Sequence, residues 1–106
     1  MRQYYEGSIY GFFVNPNGDV NYKPLEEHVT FYQTRFGRWV RADNGTVPYS
    51  IEEAHDLYYS DLKECNHSLP SSYCVPFVNE ETIRPISITK EEVKQLRKVY
   101  QQKVRK

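Results

Sequence analysis

No run of apolar side chains in this chain of 106 residues exceeds three (Phe12-Phe13-Val14 is one), so no segment is long enough to cross a bilayer as a helix. No N-terminal apolar core of a secretory signal is present, and the expected location is the cytoplasm, or the host cytoplasm for a phage or viral protein. Cysteine is scarce. Cys65 and Cys74 form no Cys-x-x-Cys pair, and the spacing Cys65-x-His67-x6-Cys74 matches no common zinc pattern even with His55 added. No metal or other cofactor is expected, and the two thiols are a candidate disulfide. The five glycines stand singly, without a phosphate-cradling loop or a nucleophile elbow. Glu27-His28 and His55-Asp56 are neighbours in sequence, but neighbours point to opposite faces of a strand or diverge by about 100° on a helix, so neither pair is a ready dyad. A small hydrolase or nuclease resting on His28, His55 or His67 is therefore the weakest of three functional readings.

Aromatic rings are what the chain has in abundance, with ten Tyr, five Phe and one Trp. Aliphatic side chains are few, so Phe and Tyr must build the core. A phenol hydroxyl needs a partner when buried, which leaves many of the tyrosines expected at half-exposed positions suited to recognition. The zero net charge conceals a division. Residues 1–89 carry seven basic and twelve acidic side chains, whereas residues 90–106 carry seven basic and two acidic.

The chain reads as one domain, 1–106, of α+β class: a small antiparallel sheet from the N-terminal half packed with two helices, about 51–64 and 90–104. Tyr4 to Val14 is a strand with rings on both faces, fitting a strand covered on both sides or twisted at Gly7 and Gly11. Asn15-Pro16-Asn17-Gly18 is a turn leading into an alternating segment, Asp19 to Lys23, which makes a hairpin. Val29–Arg35 and Arg38–Ala42 are two further strands, and short edge strands are expected near 73–78 and 83–88. Ser50-Ile51-Glu52-Glu53 and Thr89-Lys90-Glu91-Glu92 are capping boxes. Behind them Ile51, Ala54, Tyr58, Leu62 and Cys65 form one apolar stripe, and Val93, Leu96, Val99, Tyr100 and Val104 another. Asn44-Gly45-Thr46 and Asn66-His67-Ser68 match the glycosylation acceptor pattern and are read as turn chemistry.

Two constellations are candidate binding sites. Lys90, Lys94, Arg97, Lys98 and Arg105 fall within about 100° of arc on the second helix, a stripe able to neutralise phosphates or meet an acidic protein surface. The segment Phe31–Arg41 interleaves Arg35, Arg38 and Arg41 with rings including Trp39, the composition of a stacking platform or a protein hot spot. The alternative for each is structural: a solvated helix face, and core rings with arginines extending along the sheet edge. The leading expectation is a small non-enzymatic binding module, an inhibitor or adaptor that meets a larger protein through a Tyr-rich surface. Nucleic-acid binding through the basic helix and the Arg/aromatic strand is the alternative.

Overall fold

The computed structural model describes residues 2–66, 68–70 and 72–104, the last by its backbone alone. Four strands and two helices follow one another as β1 (Tyr4–Val14), β2 (Val20–Gln33), β3 (Trp39–Arg41), α1 (Ile51–Glu64), β4 (Val75–Ile86) and α2 (Lys90–Val104). The strands form one curled antiparallel sheet in the order β3-β2-β1-β4, the α+β architecture expected.

Two turns of the same kind set the hairpins. Gly18 N–H donates to the Asn15 carbonyl at 2.8 Å with φ +91°, and Gly37 N–H donates to the Thr34 carbonyl at 2.9 Å with φ +87°. A residue with a Cβ is strained at that φ, so glycine ends both turns. The first turn pairs Val14 with Val20 and Phe12 with Tyr22.

β2 is longer than the sequence suggested. It runs unbroken through Pro24–His28, where two strands separated by a gap were expected, because it takes up extra residues as bulges. The pairing Gly7↔Val29 gives way to Ile9↔Glu26 and then to Tyr10↔Pro24. His28 occupies the first bulge with φ +58°. β4 likewise replaces two short strands with one. Between Glu6↔Arg84 and Ser8↔Asn79 it loops out at 80–83, and the Thr82 hydroxyl replaces the lost ladder partner, accepting from Ser8 N–H at 2.9 Å and donating to the Asn79 carbonyl at 2.6 Å. Bulges on both neighbours of β1 bend the sheet at one level. One side-chain bond links the two edge strands: Trp39 Nε1 of β3 donates to Glu80, on the looped-out part of β4, at 3.0 Å.

β1 is buried on both faces, as its rings implied. Ile9 packs with Val29, Phe31 and Val78, flanked by Trp39 and Ile83. Phe12, on the opposite face, packs with Val75, Phe77, Ala54 and Tyr58 beneath α1. Both capping boxes are present: Ser50 Oγ accepts from Glu53 N–H while Glu53 Oε1 accepts from Ser50 N–H, and Thr89 and Glu92 exchange the same pair. Asn66, left-handed at φ +54°, follows the end of α1, and Asn44 Oδ1 accepts from Thr46 N–H and Oγ1, so both asparagines do serve as turn residues. The α1 stripe is buried only in part, at Ala54 and Tyr58, with Leu62 half-buried and Ile51 and Cys65 outward. α2 is seated lightly: Val93 is buried, Leu96 and Tyr100 are half-covered, Val99 faces out, and Arg97 Nε donates to the Ala42 carbonyl at 3.2 Å. The side chain of Val104 lies outside the described residues. A radius of gyration of 15.7 Å, against about 13 Å for a compact domain of this length, fits a bent sheet with a helix at its margin.

Candidate functional site

Only Tyr58 of the ten tyrosines is buried. The others are not spread evenly. α1 crosses over β1 and β4 and leaves the neighbouring part of β2 uncovered, so Tyr22, register partner of Phe12, stays 49% exposed. Phe12 is the floor of this region and is fully buried. Its ring centroid lies 5.9 Å from Tyr22, 5.1 Å from His55 and 6.2 Å from Tyr59, and Tyr22 in turn stands 5.6 Å from Phe77. Most of these contacts are tilted or edge-to-face, the arrangement ring quadrupoles prefer. The helical spacing of Ile51, His55 and Tyr59 aligns them along the side of α1 that borders the sheet, with Ile51 37% and Tyr59 38% exposed.

Between Tyr22 and Ile51 runs a groove of about 350 Å³, floored by Tyr10, Phe77 and Val78 and bounded by Asn79, Glu80 and Glu81. Its surroundings are acidic. Glu80 accepts from Trp39 Nε1, which fixes the carboxylate without neutralising it. Glu52 and Asp56 stand one turn apart on the exposed side of α1. Glu53 differs: Arg38 Nη1 donates to it at 2.6 Å, and the Ser50 backbone N–H followed by this arginine holds its carboxyl below the ordinary range. Among the described residues Glu52, Asp56, Glu80 and Glu81 have no cationic partner; Glu80 and Glu81 line the groove, and Glu52 and Asp56 are exposed on the helix that supplies Ile51 to it.

The candidates read from the sequence fall in several places. Arg38 is engaged by Glu53, and Arg41 donates bidentately to Asp43 and to Glu26 with its guanidinium largely covered. Trp39 is half-buried, packing edge-on against Tyr5 at 4.9 Å. Arg35 sits at the tip of the β2–β3 turn, its guanidinium 4.9 Å above Phe36, a ring 80% exposed. Lys90, Lys94 and Lys98 are exposed along α2, Lys94 being 3.7 Å from Glu91, while Arg97 reaches back to Ala42. Arg105 and His67 lie outside the described residues. Cys65 and Cys74 are free thiols. Cys65 is exposed beyond α1, and Cys74 Sγ lies so close over Gly11 that a Cβ there would come within 2.9 Å of it.

A separate polar cluster sits on the bulged part of the sheet. His28 Nδ1 is 3.0 Å from Glu6 Oε1, and Arg84 Nη2 donates to the same oxygen at 3.1 Å. The hydrogen bond with His28 and then that with Arg84 lower the Glu6 carboxyl from its usual value. Imidazole and guanidinium are both largely exposed, so the cluster is an open surface network. Among the described residues no three His, Cys, Asp or Glu side chains converge as a metal site.

The fold and these surfaces define a small α+β protein with an aromatic groove under acidic edges. Compared with known protein families, curated proteins and solved structures, the chain finds no significant match in any of the three.

Proposed function

We propose that this chain is a small non-enzymatic binding module that grips a protein partner through the groove between Tyr22 and α1. The observation that carries the reading is Phe12, wholly buried, with exposed Tyr22, His55 and Tyr59 packed around it beside the groove that Tyr22 and Ile51 line. Rigid rings lose little side-chain freedom on binding and supply large contact area, which is why they dominate interface energetics. The acids at Glu52, Asp56, Glu80 and Glu81 favour a partner segment that inserts an apolar or aromatic side chain beside Lys or Arg. A volume of about 350 Å³ suits one or two anchoring side chains, hence a modest and reversible contact. An inhibitor or adaptor of a larger assembly in the cytoplasm fits this description, in the manner of the accessory proteins of phages and viruses.

Panning a random peptide library on the immobilised protein tests the reading. Enriched peptides are expected to join Leu, Phe or Tyr to Lys or Arg, and to lose about tenfold in affinity on Tyr22→Ala, with Tyr59→Ala as a second probe. No enrichment, or peptides that bind both variants as well as the original protein, would remove it.

The nucleic-acid reading is supported by the exposed Lys90, Lys94 and Lys98 and by Arg35 stacked on Phe36. It draws less from Arg38 and Arg41, which carboxylates engage. Its mark would be affinity for single-stranded nucleic acid that falls steeply with salt and collapses in Lys94→Glu/Lys98→Glu.

A further inference from the structure

We propose that the groove and its acidic border receive helix α2 of a second copy of this chain, so that the protein forms a reciprocal dimer. The inference rests on the groove being a docking surface and names its occupant.

Three observations carry it. First, charge is segregated by element: residues 1–89 hold twelve acids against seven bases, and residues 90–106 hold seven bases against two acids. Chain and partner are then complementary through unlike parts, which a twofold axis uses twice and closes without leaving a free end. Second, the spacings match. Lys90, Lys94 and Lys98 recur every four residues along α2, a rise of about 6 Å, and Glu52 and Asp56 recur at the same interval on α1. A helix laid beside α1 sets cation against carboxylate at successive turns, with the aliphatic stems of the lysines lying over the apolar surface of the groove; Val99 lies on another face of α2 and takes no part. Third, among the described residues α2 is held on its own body by one buried side chain, Val93, by half-covered Leu96 and Tyr100 and by the Arg97 bond to Ala42, so it can adjust to a partner without dismantling the core.

Exposed ion pairs contribute weakly one at a time, so the dimer is expected to be concentration-dependent and to weaken about tenfold as salt rises from about 50 to about 500 mM. Nucleic acid is the competing occupant for the lysines, but Glu52, Asp56 and Glu81 have no role in it.

Analytical ultracentrifugation of two charge variants is the test. Glu52→Lys/Asp56→Lys should be monomeric, and so should Lys94→Glu/Lys98→Glu, each with unchanged circular dichroism. Mixing the two should restore a dimer, because each groove then meets a helix of opposite charge. A wild-type protein monomeric at all accessible concentrations, a dimer indifferent to either variant, or a mixture that stays monomeric would overturn the proposal. If wild type is monomeric and library-selected peptides still fill the groove, only this inference falls; if those peptides fail too, the groove reading falls with it.

Discussion

Tyr73 shows how much a single hydroxyl can record about its surroundings. It donates to Asp61 of α1, and this bond, reinforced by partial burial, pushes its ionisation up to about 12. The sign follows from the unfolded value near 10: the folded state holds the proton longer, so the contribution is complete below about pH 10 and is lost as pH rises toward about 12. Ultraviolet titration should show an ionisation step near pH 12, and Tyr73→Phe should remove it. The carboxylates behave oppositely. Glu53 and Glu6 are both held below the ordinary 4.5 by hydrogen bonds and cations, so what they add is present above that pH and fades as pH falls through their lowered values. Melting temperatures at pH 6 and pH 3 should differ less in Arg38→Ala than in the original protein. Arg41 is the residue whose loss should be felt most. It joins Glu26 of β2 to Asp43 beyond β3, and these carboxylates raise its pKa from the usual arginine value. Arg41→Ala leaves Asp43 half-buried without its cation and should cost about 2 kcal/mol in denaturant unfolding.

At the scale of elements, local signals were readable and long-range ones were not. Ser50-x-x-Glu53 and Thr89-x-x-Glu92 fix both helix starts because a capping box needs only four neighbouring residues. Pro24–His28 was not readable as strand, since Pro24 lacks an N–H and two acids with a left-handed histidine break the alternation. The segment is held extended because β1 accepts it through two bulges. The groove was partly within reach of the sequence. The turn at Asn15–Gly18 sets the register that puts Tyr22 opposite Phe12, but only the path of α1 over β1 and β4 decides that Tyr22 remains uncovered. The two helices also differ in hold. α1 buries Ala54 and Tyr58 against the sheet, whereas α2 has a single buried side chain among those described. Amide hydrogen exchange should therefore be faster throughout α2 than in the middle of α1. Equal protection of the two helices would show that α2 is anchored more firmly than these contacts imply.

For the molecule as a whole, the bend in the sheet links stability to the site. Trp39 reaches Glu80 where β4 loops out of register with β1, and Glu80 also borders the groove. Trp39→Phe keeps a ring against Tyr5 and Phe31 but releases the carboxylate, so peptide affinity should change by more than stability does. The central claim, that the ring-lined groove is where another protein is held, is tested most directly by a two-dimensional amide NMR titration with a peptide carrying one aromatic residue among lysines. Shifts are expected to concentrate on Tyr10, Tyr22, Ile51, His55, Phe77 and Glu81 and to saturate together. Shifts confined to Arg35–Arg38 or to Lys90–Lys98, or spread over the surface without saturation, would contradict it.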